Sequence, residues 1–501
     1  MTNWVEDELK TVDLGDERLD RRYSRVLDAL GRKPAMKFTA ACNGHAEVQG
    51  AYRFVNNPHD ATRQRCREHP VVLAVQDTSE VDVTRPNEEM TGAGPLSADG
   101  RLGFFLHPLM AFTPGGLPLG LVHVNIWARD PDEAARPAAE KQAERQRKPF
   151  EEKESVRWRD GYRAAGELAD ACPDTQVICI SDSEGDIFEC FFDALPQQQG
   201  RKADWIIRAC EDGALVQGEA AEASVGRLFA QVAQAPVLAT LCLEVRARPA
   251  QSGDGRKRKQ ARSARKATMT VQAARVTLRQ PARGGGKRMA DVAVNAVLVR
   301  EVSPPAGEAP VEWLLLTSLP IDTVDQVLLV VEYYCQIWQI EIYFKVVKSG
   351  CQVEKSQLET AEAFLPYVAL CLIVAWRVQQ LLMLGRECPE LPSDCVLTEA
   401  EWQAVYAVVK GEEPPEQAPP LGEMVKLIAR LGGYLDRKGD GPPGPKAMWV
   451  GLQRRTDLAL GWQARGHPPG PEKKATPRPK AGQGRQDSAA HQPPPPPSPP
   501  P

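Results

Sequence analysis

Three acidic residues stand out because of the residues that frame them. Asp77 follows the apolar run VVLAV (71–75) by one residue, and Asp182 follows QVICI (176–180) in the same way. Glu341 is the single carboxylate in the mostly apolar segment YCQIWQIEIYFKVVKSG (334–350). A carboxylate set among apolar residues needs a partner, because burying an unpaired charge is expensive. Oxygen ligands of this type suit Mg²⁺, with Mn²⁺ as a substitute, and such ions are usually held by a few carboxylates together with substrate phosphates. Two such ions about 4 Å apart can serve both the attacking and the leaving oxygen of an in-line displacement at phosphorus. The chemistry these residues suggest is therefore metal-dependent phosphoryl transfer, with Asp77, Asp182 and Glu341 as catalytic residues and as metal ligands. Glu184 and Asp186 follow Asp182 in SDSEGD (181–186) and are candidates for support by hydrogen bonding.

The elements that must bring these acids together can be read from hydrophobic periodicity. Residues 334–350 read as one helix, on which Tyr334, Trp338, Glu341, Lys345 and Lys348 share a stripe at 100° per residue. Lys348 is placed to meet a phosphate as a point charge. VVLAV, LGFFLHPLMAF (102–112), LPLGLVHVNIW (117–127) and QVICI read as strands, the middle two joined by the turn TPGG. A charged helix at about 150–172 precedes the last of them. The order β-β-β-α-β implies a ribonuclease-H-like α/β core in which the first and fourth strands lie side by side. Asp77 and Asp182 would then meet at the carboxyl ends of neighbouring strands, where open α/β sheets keep their sites.

Around this core the chain divides further. Residues 1–66 read as a helical module and 67–200 as the first part of the core. A β-rich, partly basic insertion covers 201–311, the core resumes over 312–350, and 351–465 are mostly helical. Residues 466–501 are rich in Pro and Gly and cannot bury a core. The stretch RKRKQARSARK (256–266) puts seven basic residues into eleven positions. The rest of the chain is then acidic enough that any polyanion contact must come from local patches. His107 and His123 alternate with apolar residues and read as structural.

The twelve cysteines show neither a CxxC pair nor Cys/His ligand spacing, which argues against zinc and against a disulfide framework. A reducing cytoplasm fits them. MTNWVEDELK lacks the apolar core of a signal peptide. The apolar segment 365–384 contains Pro366, Arg377, Gln379 and Gln380 and reads as a packing helix rather than a membrane span.

The motifs together resemble one family, the cut-and-paste DDE transposases of bacterial insertion sequences, in the IS-four group of Tn-five type. LGDERLDRR (14–22) and GAYRFVNNP (50–58) are similar to the family's end-recognising module. LAVQDTSEVD (73–82), DSEGD (182–186) and WLLLTS (313–318) resemble its core strands, and Tyr334, Glu341 and Lys348 match its Y-x2-R-x3-E-x6-K signature. The resemblance extends to about residue 465. It implies that Asp77, Asp182 and Glu341 bind two Mg²⁺ ions. It further implies that Tyr334 and Lys348 contact transposon-end phosphates, as part of a DNA surface that includes Trp338 and Lys345. Arg208 would lie near the cleaved DNA, Trp313 would stabilise a flipped base, and Arg53 would contact DNA from the N-terminal module. The partners implied are double-stranded DNA, both transposon ends and target, and a second copy of the chain, with no membrane. A cytoplasmic, nucleoid-associated bacterial enzyme is expected. The signature's arginine position is occupied by Ile337.

Overall fold

The computed structural model describes Ser24, Leu27 and residues 60–465, apart from residues 87, 99, 133–135, 196–202, 211, 216–225, 249, 251–260 and 281–288. The helix Asp60–Arg67 (α1) leads into Val71–Gln76 (β1), Ser79–Asp82 (β2), Leu102–Phe112 (β3) and Pro118–Trp127 (β4). The helix Val156–Ala171 (α2) then carries the chain to Gln176–Ser181 (β5) and Asp204–Arg208 (β6). The insertion supplies Val237–Val245 (β7), Arg265–Leu278 (β8) and Val292–Glu301 (β9), and Glu312–Thr317 (β10) closes it. Six helices follow: Val324–Cys335 (α3), Trp338–Lys345 (α4), Ala361–Glu387 (α5), Glu399–Lys410 (α6), Leu421–Leu431 (α7) and Pro445–Ala464 (α8).

These ten strands belong to one sheet, thirteen-stranded among the described residues, in the order β2-β3-β1-β5-β6-β10-β9-β8, with β4 also paired to β3 and β7 to β8. β1 and β5 are parallel, with Gln76 opposite Ser181, and β6 is parallel to β5, with Ile207 opposite Ser181. These central strands are apolar on both faces because both are covered, as parallel strands require. Val72 and Ala74 of β1, Val177 and Cys179 of β5, and Trp205 and Ile207 of β6 pack with Trp158, Tyr162 and Leu168 of α2. Leu73 and Val75, Ile178 and Ile180, and Ile206 face the other way, toward α3, α4 and α5. Fully burying a Val, Leu or Ile side chain is worth roughly 1.5–3 kcal/mol, so this alternation holds the strand register firmly.

The insertion is continuous with the core. β10 pairs on one side with β9, Leu315 opposite Val297, and on the other with β6, Leu315 opposite Arg208. The apolar segment around 365–384 lies within α5, which is long and apolar enough to cross a bilayer by length and composition. In this fold its residues Phe364, Tyr367, Leu372 and Trp376 are buried against the sheet and the neighbouring helices.

The segment 334–350 differs from the single helix expected of it. The backbone amides of Gln336, Ile337, Gln339 and Ile340 bond three residues back, to Tyr333, Tyr334, Gln336 and Ile337. Tightening to i→i+3 bonds changes the angular step, so the continuous stripe is lost. Tyr334 ends on α3 and is 3% exposed, whereas Trp338 on α4 is 40% exposed. After Lys345 the chain widens into a π-turn over Val346–Gly350, with the Cys351 amide bonded to the Val346 carbonyl at 2.9 Å. Glu341 is correspondingly an exposed residue, not a buried one.

Candidate active site

Strand alternation sets the geometry of the site. Leu73, Val75 and the next odd position, Asp77, point to the face covered by α3 and α4. Ile178, Ile180 and then Asp182 do the same on β5, and Ile206 then Arg208 on β6. Because Gln76, Ser181 and Ile207 share one register level, Asp77, Asp182 and Arg208 stand in a row at the ends of three adjacent parallel strands. Arg208 reaches Asp182 at 3.7 Å and donates to the Ser183 hydroxyl at 3.1 Å.

Electrostatics tie Glu341 to this row. Burial pushes the Asp77 carboxyl well above the usual carboxylate range; the charge of Asp182 adds to that, and Glu341 and Glu184 push it the same way. The Thr78 amide, donating to Asp77 Oδ1 at 2.7 Å, pulls in the opposite direction. Asp182 and Glu341 therefore both lie near enough to Asp77 for their charges to act on it. Among the described residues, however, no three Asp, Glu, His or Cys side chains enclose a point as a metal's ligands do. Asp182 turns one oxygen to the Glu184 amide at 2.8 Å and the other toward Arg208, and Glu341 lies out in solvent. The donor set itself, three carboxylates whose repulsion a cation would relieve, has the chemistry of a Mg²⁺ or Mn²⁺ site.

The other expected residues are placed as follows. Glu184 is exposed and pairs with Arg157 at 2.9 Å, while Asp186 accepts the Cys210 amide at 2.8 Å. Tyr334 is buried edge-on against Trp313, ring centroids 5.7 Å apart, and burial raises its phenol. Trp313, half-buried, also lines a cavity of about 190 Å³ with Arg208, Arg248, Arg262 and Glu312. Trp338 and Lys345 are exposed on α4, with Arg246 of the insertion stacked over the Trp338 ring at 5.5 Å. Lys348 is half-buried in the π-turn. Arg53 lies outside the described residues, as do Arg256 to Lys259 of the basic run. Of the remainder of that run, Arg265 is locked by Glu301 at 2.7 Å and Glu308 at 2.6 Å and does not offer its charge to a ligand. Ile337 is 8% exposed and belongs to the core packing, so the position of the signature arginine is an apolar interior one here.

Sequence reasoning missed the layer behind the acids. His107 is fully buried; its Nε2 lies 3.1 Å from Gln76 Oε1 and its Nδ1 2.9 Å from Thr78 Oγ1. Gln76 Nε2 donates to the Trp158 carbonyl at 3.2 Å, which leaves Oε1 to accept from His107. Burial, reinforced by Arg157 and His123, drives His107 well below its ordinary range, so the ring is neutral and its Nδ1 accepts from Thr78. Arg157 Nε in turn donates to Thr78 Oγ1 at 3.1 Å. Gln76 and Thr78 flank Asp77 in the sequence, which was the one available signal; nothing in the spacing marked Arg157.

Comparison with known families finds matches at both ends of the chain. Residues 1–59 match the transposase DNA-binding family and residues 373–465 match the Tn5 transposase dimerisation domain. Among solved structures, the chain is similar to a piggyBac transposase seen by cryo-electron microscopy in a synaptic complex with hairpin DNA. The identity is 9% and the TM-score 0.30, over 85% of this chain and 58% of that one, a likeness too slight to carry weight. A match to a transposase DNA-binding domain at its start and to a Tn5 transposase dimerisation domain at its end together support a Tn5-type transposase.

Proposed function

We propose that this transposase cuts and joins DNA at transposon ends by metal-dependent phosphoryl transfer, using a ribonuclease-H-like core. The observation that carries the reading is the parallel pairing of β1 with β5, Gln76 opposite Ser181, which brings Asp77 and Asp182 to one edge of the sheet. The action of the Asp182 and Glu341 charges on Asp77 supports the three serving as one ligand set. The strand order β4-β3-β1-β5-β6, antiparallel then parallel, supports the ribonuclease-H-like assignment.

In this reading Asp77, Asp182 and Glu341 would hold two Mg²⁺ ions. Such ions polarise the scissile phosphate and stabilise charge on the entering and leaving oxygens when bound. Arg208, at the row's end, offers a guanidinium fork to a phosphate. Lys345 and Lys348 add point charges from α4 and the π-turn. Trp313, half-exposed beside Arg208, offers a ring face for an unstacked base. Hydrolysis would free a 3′-hydroxyl, attack on the opposite strand would form a hairpin, and the reopened ends would join target DNA, each step being an in-line transfer at phosphorus. Two copies of the chain, joined through the dimerisation domain, would hold the paired ends.

The test is cleavage of DNA carrying the inverted repeats that flank the gene, in Mg²⁺ or Mn²⁺. Asp182→Ala is expected to lower cleavage by about 10²–10³-fold, the scale of losing one transition-state-stabilising group, with end binding retained. Metal-dependent cleavage that survives this substitution would sink the assignment. A second reading, a DNA-binding relative that occupies ends and restrains transposition, is favoured by the burial of Ile337 at the signature arginine's position. End binding by the wild-type chain without cleavage would select it.

A further inference from the structure

We infer that Arg157 is a positioning residue that locks the Asp77 and Asp182 loops into one metal-binding unit. The inference rests on the metal-site reading above and adds to it a residue on the opposite face of the sheet. Arg157 lies in the first turn of α2 and its side chain is 13% exposed. Its three guanidinium nitrogens go to three separate segments. Nε donates to Thr78 Oγ1 at 3.1 Å, one terminal nitrogen to Glu184 Oε2 at 2.9 Å, and the other to the Glu154 carbonyl at 2.7 Å. Its Cζ lies over two aromatic rings, 5.2 Å from the Trp127 centroid and 5.5 Å from that of Trp158.

Two of those ends bear on a ligand. Thr78 is the residue whose amide donates to Asp77 Oδ1, and its hydroxyl is fixed on the other side by His107. Glu184 is the residue whose amide donates to Asp182 Oδ1. Arg157 therefore ties both carboxylate turns, through the Thr78 and Glu184 side chains, to a single helix. Only an arginine can do this, because the contacts need a planar fork with separate donors; a lysine ammonium cannot reach all three segments at once. Outer-shell partners of metal ligands typically contribute 10–100-fold in affinity or activity.

The sign of the effect separates positioning from simple electrostatics. Removing a cation from beside three carboxylates should by charge alone tighten cation binding. If the contacts instead preorganise the ligands, removal should weaken it. The experiment is calorimetric titration of Mn²⁺ into the full chain without DNA, for the wild type, Asp77→Ala, Arg157→Lys, Arg157→Met and Thr78→Val. Arg157→Lys, which keeps the charge and loses the fork, is expected to weaken Mn²⁺ binding about tenfold. Arg157→Met should do the same, and Thr78→Val, which leaves the shape intact, should shift binding in the same direction. Unchanged or tighter binding in Arg157→Lys and Arg157→Met overturns the inference while leaving the metal site standing. If Arg157→Met does not fold, Arg157→Lys decides alone. Wild-type Mn²⁺ binding that is absent, or equal in Asp77→Ala, overturns the metal-site reading and the role of Arg157 with it.

Discussion

At the scale of residues, the chain holds a carboxylate where its charge is unwelcome. Asp77 carries a proton more readily in the native state than its ordinary value of 3.8 allows, first because it is buried and next because Asp182 is beside it. A native state that binds protons more tightly than the unfolded chain loses stability as pH rises. The loss begins near 3.8 and continues until the raised native value is passed. In a chelating buffer, the melting temperature of the wild type should therefore fall relative to Asp77→Asn as pH increases from 4 upward, with Asp77→Asn the more stable at neutral pH. A difference between the two that stays flat with pH would show that Asp77 is not strained by its neighbours. Active sites commonly hold stability in this form, giving it up for the ability to bind charge.

At the scale of elements, the informative feature is the junction of α3 and α4. Thr323 starts α3 with a capping box shared with Gln326, and the helix runs with Val327, Val330 and Val331 inward. The i→i+3 bonds at 336–340 then turn Ile337 inward and Trp338 and Glu341 outward. Expecting Ile337→Arg simply to restore a DNA contact overlooks this packing. The residue is 8% exposed within the main core cluster, and a guanidinium there must either be buried unpaired or pull the turn apart. Ile337→Arg is expected to cost on the order of 2–3 kcal/mol, read as a lower urea midpoint at unchanged slope. An unchanged midpoint would mean that the side chain escapes to solvent and the turn is open to DNA after all.

At the scale of the whole molecule, the sheet and the helical end are one body. Trp376 of α5 donates to the Pro118 carbonyl at 3.2 Å, Tyr343 donates to the Leu372 carbonyl at 2.8 Å, and Arg65 of α1 stacks over Trp376 at 4.5 Å. Phe364 stacks on Phe104 of β3, centroids 5.3 Å apart. Truncation after residue 360 should thus leave an aggregating or unfolded fragment rather than a monomeric core. Limited proteolysis and near-ultraviolet circular dichroism of such a fragment check this; a cooperative, protease-resistant product would show that the sheet stands without α5. The buried thiols agree with a shared interior: burial pushes Cys66 and Cys179 up to about 12, which keeps them protonated at neutral pH.

By itself the sequence determined the strands, read at 71–75, 102–112, 117–127 and 176–180 and found within a residue of those bounds, and the placing of the two aspartates just past them, because apolar runs and turn residues are local signals. It also carried the marks of the family at both ends of the chain. What it could not determine was anything that depends on phase across a junction or on contacts far apart in the chain. The kink at Ile337, which turned an expected buried Glu341 outward, comes from i→i+3 bonds that no periodicity announces. The insertion's continuity with the core comes from β10 pairing on both sides. The bridge from Arg157 to Thr78 and Glu184 joins residues 79 and 27 positions apart. Such contacts exist only once the sheet has closed, since a hydrogen bond depends on where two groups lie in space and not on their separation along the chain.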